Sequence, residues 1–425
     1  MVLHTPPSII TKLNEIFFSF IWGKCEKVKR ATLIADIADG GANMTDVESL
    51  FDSIKAAWVA RILNSDDTET WSNFAKYYLN RLGNNMFVLR LNFNTIDMFP
   101  KLRLLPRFYQ EVILSFNKSK TVKAIENRDD LLNKPLWGER HLKYSNKGKL
   151  VTPYFESWIQ SGLIKVCNLT YNDDGRLDQN YIHRVLSNKT NVFSQISIIS
   201  KILYPYRHML AGHKAVNDTD IVLYDFREES LNNVKSKLFY RNLVSQKVER
   251  PHQEKNWAAM LNINSFQGIY QRKIHDIHEN KLKEFNFKLL QGILPCGTNL
   301  KKWRKKSCDL CKICKVQEDV RHMLYECSFA QGIWNDLGEF LQKNISFYTL
   351  VTGDNLTQPE NVITTMIAFL IYKQWLLGSL NNRPLPVHGN ITLLLHDIKF
   401  RNLVYKSLKW HTITDLLDKI ILNYC

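Results

Sequence analysis

Apolar residues recur at three- and four-residue steps along most of this chain, the spacing of amphipathic helices. Ile9, Ile10, Leu13, Ile16, Phe17, Phe20 and Ile21 predict a first helix over 8–22. A basic turn follows from Lys24 to Arg30, and Gly40-Gly41 breaks the pattern. Asp46 is placed to cap a second helix that carries Leu50, Ile54, Ala57, Trp58, Arg61 and Ile62. Residues 86–230 mix short helices with irregular segments. There Trp137 and Trp158 read as core anchors, and the polar run from Asn188 to Asp220 reads as a loop. A helix-like stretch around Ile269 to Leu294 ends at the turn Pro295-Cys-Gly297. Phe329, Ile333, Trp334, Leu337, Phe340 and Leu341 then line one helical face. Beyond residue 345 the pattern predicts a polar linker, a helix near 361–378, a break at Pro384 and Pro386, and a terminal helical pair.

Composition narrows the class. The 425 residues are 45% hydrophobic and 12% aromatic, enough to build sizeable cores and too apolar for a disordered chain. Net charge is +16 and unevenly spread: residues 281–315 hold ten Lys and Arg against two acidic residues. A field of that sign attracts phosphate backbones. No apolar run approaches the roughly 20 residues that span a bilayer, so no membrane is expected. The start, with Pro6-Pro7 and polar residues, lacks the basic and apolar regions of a secretory leader. Four of eight cysteines crowd into 308–327, which suits a metal site in a reducing compartment better than a disulfide framework. An intracellular protein, cytoplasmic or nuclear, is the expectation.

Those cysteines carry the strongest motif. Seven residues separate Cys311-Lys-Ile-Cys314 from His322, and four separate His322 from Cys327. Three thiolates and an imidazole supply the four N/S ligands of a tetrahedral Zn²⁺ site, and a full set leaves no position open for water. A structural Zn²⁺ is therefore expected on Cys311, Cys314, His322 and Cys327. Cys308 has the same two-residue spacing to Cys311 and is an alternative to Cys314; the shorter loop favours Cys314. The fold class is mainly α: a multi-domain helical chain with a small zinc-knuckle element. The first ligand pair belongs on the knuckle and the second at the start of the helix carrying Trp334. Basic residues flank the site. Lys301, Lys302, Arg304, Lys305, Lys306, Lys312 and Lys315 are candidate phosphate contacts, and Trp303 among them is a candidate base-stacking side chain.

The run from Cys311 through His322-Met-Leu-Tyr-Glu-Cys327 to Trp334 resembles the zinc-binding region that follows the polymerase in LINE-type, non-LTR retrotransposon reverse transcriptases. Upstream, Lys237-Leu-Phe-Tyr240, Trp257, Phe266 to Tyr270 and Lys283-Glu-Phe-Asn-Phe-Lys-Leu-Leu-Gln-Gly-Ile-Leu-Pro295 are similar to the segment preceding that cluster. Pro135-Leu-Trp137 with Trp158 to Gly162 resembles the family's connector. Phe20-Ile-Trp22, Lys29-Arg30, Asp39-Gly-Gly41 and Trp58 resemble its thumb. The resemblance implies a thumb-like segment over 1–85, a connector over 86–230, a zinc-binding domain over 231–345 and a C-terminal helical segment over 346–425. It implies partners in RNA or DNA and, where a longer protein exists, a parent polymerase domain. The isolated chain is then a non-catalytic part, with no catalytic residue expected.

Two other readings compete. Tyr171-Asn-Asp-Asp174 matches the Tyr-x-Asp-Asp signature of a polymerase palm, whose carboxylates share two metal ions with a third from another strand. Here Gly175 follows, and Asn-Asp-Asp-Gly is a strong turn signal, so a turn is expected. A zinc-stabilised scaffold with its basic face toward an acidic protein is the other alternative. His275 and His278 fall three apart on a predicted helix, without further ligands to make a metal pair.

Overall fold

The computed structural model describes residues 6–23, 26–64, 69–83, 86–120, 124–186, 191–218, 235–380 and 419. Helices dominate, and among the described residues the only sheet is the hairpin Tyr144–Asn146 with Lys149–Val151, paired Tyr144 to Val151. No described helix is long and apolar enough to cross a membrane. The terminal helical pair and the break at Pro384 and Pro386 lie outside the described residues. The chain divides into two compact units: residues 1–19 with 46–247, and residues 20–45 with 248–425.

In the first unit the helix Val47–Asn64 packs against Arg107–Ser119 and Ser236–Ser245. Asp46 caps it as the sequence indicates. Its Oδ2 accepts from the Ser49 amide at 3.1 Å and from the Ser49 hydroxyl at 2.5 Å, and takes the Lys247 ammonium at 2.9 Å. Burial alone would raise this carboxyl's pKa; the Ser49 and Lys247 contacts outweigh it and hold it at about 2. Trp137 and Trp158 are fully buried, edge to face at 5.9 Å, with their indole N–H groups donating to Leu163 O and Gln195 Oε1. Lys120 is buried too, and its ammonium donates to the Leu89 and Leu91 carbonyls at 3.0 and 2.6 Å. The polar stretch read as a loop after Asn188 contains the helix Val192–Leu203. Its Ile196, Ile199, Ile202 and Leu203 are buried, so an apolar stripe inside a polar neighbourhood decides the structure.

The helix Pro7–Trp22 forms where the periodicity indicates, yet Ile9, Ile16, Phe17, Phe20 and Ile21 are exposed among the described residues.

The second unit has one core, running from Trp257 through Leu289, Leu324 and Trp334 to Ile371 and Trp375. The expected continuous helix from Ile269 to Leu294 is broken. Gln267–Tyr270 passes into a π-helical turn at Gln271–His275, the chain runs open through residue 279, and Asn280–Leu290 begins anew. His275 and His278 therefore do not share a helix. Glu279 is extended, and the restart lets Leu282, Phe285 and Leu289 enter the core. The expected polar linker holds the helix Phe347–Thr352, capped by Ser346 Oγ accepting from the Thr349 amide at 3.1 Å, with Phe347, Leu350 and Val351 buried. The helix near 361–378 is present as Gln358–Leu380.

Residues 26–45 belong to this unit through close backbone approaches. Gly40, at φ 81°, sits under Tyr270, where a Cβ would lie 2.5 Å from the ring. Its carbonyl accepts from Gln291 Nε2 at 2.8 Å. Glycine is required here both by the left-handed backbone and by the absent space.

Asp46 provides a test of the first unit. Its depressed pKa means the stabilisation is present above the unfolded value of 3.8 and is lost as pH falls toward 2. Asp46→Asn should lower unfolding free energy at neutral pH by about 2 kcal/mol, at 1.36 kcal/mol per pKa unit. Urea titrations should show the difference between variant and parent shrinking below pH 4. A pH-independent difference would mean the carboxylate charge is not what the cap uses.

Candidate metal centre and basic surface

Cys311 and Cys314 lie on a tight knuckle. The bridge Leu310 to Gln317 closes its base, Cys311 donates its amide to Val316 O at 2.8 Å, and Lys315 donates back to Cys311 O at 3.0 Å. Lys315 takes a left-handed φ of 60° to make the reversal. That turn points both thiols to one side, toward His322 and Cys327.

The second pair poses a geometric problem. An α-helix turns once per 3.6 residues, so positions five apart lie roughly 140° apart around its axis. The chain solves this with a π-helical turn over His322–Glu326, closed by the Cys327 amide donating to His322 O at 2.8 Å. A five-residue ring brings position i+5 back over position i. Cys327 then leaves the helical geometry, with ψ at 136°, and becomes the N-cap of Ser328–Leu341. Asp319 fixes the start by accepting the His322 amide at 2.7 Å.

The four ligand atoms all lie within 4.8 Å of one another. Cys327 Sγ is 3.9 Å from Cys311 Sγ and 3.7 Å from Cys314 Sγ. Zn–S bonds of about 2.3 Å at tetrahedral angles place sulfurs roughly 3.8 Å apart, so the spacing is that of a zinc shell. His322 is buried, and its Nε2 meets no hydrogen-bond partner. A buried imidazole nitrogen without a partner is unfavourable unless a metal takes its lone pair. The Cys311 thiol is held below the ordinary thiol range, first by its hydrogen bond with Cys327 and then by backbone amides and His322. Cys327 is pushed up by the same shared proton and by burial. The contact biases one sulfur of the pair toward thiolate, the form a metal needs. These residues fit Zn²⁺, which when bound supplies cross-linking of the knuckle to the helix. Cys308 lies outside the cluster: it is exposed, and its Sγ accepts from the Leu310 amide at 3.4 Å.

Glu318 ties the knuckle to the core, and no motif around it signals that role. It is buried; one carboxylate oxygen accepts the Gly297 amide at 3.0 Å and the other the Trp375 indole at 2.7 Å. Burial raises its pKa despite those donors.

The basic residues separate by environment. Lys301 pairs with Asp309 at 2.9 Å. Lys306 turns inward, 6.0 Å from the Trp375 ring, and Lys312 donates to Gly378 O at 3.1 Å. Lys302, Arg304, Lys305 and Lys315 are exposed, with Arg304 at a left-handed φ of 56°. Trp303 is half-buried against the core, and the Lys27 ammonium sits 4.3 Å from its ring centroid.

Tyr171–Asp174 makes a turn. Tyr171 is buried and bridges to Leu177, Gly175 has φ 78°, and Asp174 pairs with Arg176 at 3.1 Å. Among the described residues no third metal-binding side chain joins Asp173 and Asp174.

The family described as zinc-binding in reverse transcriptase matches residues 235–334. That stretch ends at Trp334 and contains all four ligands, so it is similar to a zinc-binding, reverse-transcriptase-associated segment. No curated protein matches the chain.

Metal analysis should find one Zn²⁺ per chain. His322→Ala and Cys327→Ser should lose it, and Cys308→Ser should keep it. Structural zinc contributes about 10–16 kcal/mol in isolated fingers, comparable with the roughly 5–15 kcal/mol stability of a whole domain. A chelator should therefore unfold the region around 308–341, read by hydrogen exchange. Zinc lost from Cys308→Ser but kept in Cys314→Ser would overturn this ligand set.

Proposed function

We propose that this chain is a nucleic-acid-binding portion of a LINE-type, non-LTR retrotransposon reverse transcriptase, with thumb-like, connector and zinc-binding segments that follow the palm. The zinc centre carries the reading: the Cys311–Cys327 ligand set falls inside the stretch similar to zinc-binding segments of reverse transcriptases. The collinear resemblance of the connector and thumb motifs upstream supports the LINE assignment. The exposed cations Lys302, Arg304, Lys305 and Lys315 beside the centre support contact with RNA or DNA. In this role the metal fixes the local fold, and the surface around it grips the strand; a parent polymerase domain supplies the chemistry. The chain works inside the cell, where its thiols stay reduced.

Binding of RNA or single-stranded DNA should weaken steeply with salt. Reversing Lys302, Arg304, Lys305 and Lys315 should flatten the log–log slope by roughly 0.7 for each phosphate no longer neutralised. Unchanged affinity and slope would remove these residues from the interface, and tight binding of an acidic protein instead would favour a scaffold. The purified chain should not extend a primer on an RNA template with Mg²⁺ or Mn²⁺. Extension that vanishes in Asp173→Asn would make it an enzyme after all.

A further inference from the structure

Beside the zinc module the second unit holds a cleft of about 560 Å³, within the range of built ligand sites. Three separated stretches wall it, 27–32, 249–255 and 291–303. Lys27, Lys29, Arg250, Lys255 and Lys302 face two carboxylates, Glu249 and Glu254. Both carboxylates are already engaged. Glu249 pairs with Lys29 at 2.9 Å; Glu254 accepts the Tyr270 hydroxyl at 2.9 Å and lies 3.6 Å from Arg250. Lys255 and Lys302 are exposed and form no ion pair among the described residues.

Trp303 has a different part here from base stacking. Its ring packs against the core, and Lys27 lies over it at 4.3 Å. A cation–π contact of this kind holds an ammonium in place. The indole thus fixes a positive charge at the cleft wall. Lys302, next in sequence, belongs both to the cleft and to the exposed basic run, so the positive surface continues from one to the other.

We propose that this cleft seats phosphate groups of an unpaired nucleic-acid strand, with Lys27, Lys255 and Lys302 as the backbone contacts and Trp303 as the residue that positions Lys27. The inference rests on the nucleic-acid reading above and adds to it a site, built largely from residues far in sequence from the basic run. Its volume suits a short stretch of sugar–phosphate backbone. The contacts are point charges with few aligned neutral donors, so the site should take RNA and DNA strands of any sequence.

The test uses the full chain with a labelled oligouridine and oligothymidine, read by fluorescence anisotropy across a salt series. Zinc content and circular dichroism check each variant's fold. Lys27→Gln with Lys255→Gln should flatten the salt slope by about 1.4, two phosphates at 0.7 each on single strands. Lys27→Arg with Lys255→Arg should restore it, which separates charge from folding damage. Trp303→Leu should weaken binding about as much as Lys27→Gln alone, and the two changes together should weaken it little further. Tripolyphosphate should compete with the strand. A slope unchanged by the Lys27 and Lys255 pair, while Arg304→Gln with Lys305→Gln reduces it, would overturn the cleft and leave the proposed function standing. Tripolyphosphate bound through Lys27 and Lys255 but not displaced by a strand would overturn the strand as occupant. A parent chain that binds no strand even at low salt would end both proposals.

Discussion

Three sulfurs and one imidazole nitrogen drawn within 4.8 Å of one another are the constraint on which the second unit turns. Thiolates repel each other, and a buried imidazole nitrogen without a partner loses its hydration. Neither condition is stable without a dication at the centre. The local architecture follows from meeting that demand: a knuckle that turns two thiols to one side, and a helical turn of unusual pitch that presents the other two ligands. With three thiolates around Zn²⁺ the site would carry one net negative charge, which suits the lysines that surround it.

The knuckle is too small to have a core of its own, and it borrows one. Cys311 and Cys327 are buried in the same apolar cluster as Phe329, Ile333 and Trp334, and the Trp334 indole donates to Leu324 O at 2.7 Å across the π turn. Glu318 adds a polar clamp between Gly297, at the start of the helix Gly297–Lys302, and Trp375 on the long helix Gln358–Leu380. Metal and core therefore hold the basic surface in a fixed frame. Charges on a fixed frame lose less freedom when they meet a ligand than charges on a loose loop would.

Much of this is readable from residue order. Ligand type and spacing are local properties, so the zinc set can be written down at once. The helices at 8–22 and near 361–378 show in their period, and Asp46 shows as a cap. What stays hidden depends on partners far away in sequence. Nothing at Glu318 announces a buried clamp, because its donors sit at positions 297 and 375. Nothing at Lys120 announces burial, because the carbonyls that accept its protons belong to Leu89 and Leu91. The broken helix after His275 and the short helix at Phe347 escape the pattern for a related reason: tertiary packing outweighs a local preference. Trp303 looks like a free aromatic among cations, and only the fold reveals that one side is packed on the core.

The π turn between His322 and Cys327 has a consequence for sequence change. Such a turn is an α-helical turn carrying one extra residue. Removing one of the four residues between the ligands would let the backbone relax to an ordinary α-helical turn, with positions i and i+4 still on one face, but would draw the helix Ser328–Leu341 one residue out of register with the core. Adding one would displace that helix in the opposite sense. Side chains at Met323, Leu324, Tyr325 and Glu326 can drift within the limits of their packing, but their number cannot. This stretch should accept exchanges of side chains more readily than changes of length. The interval between the two ligands is thus set by the packing behind them as much as by the metal in front.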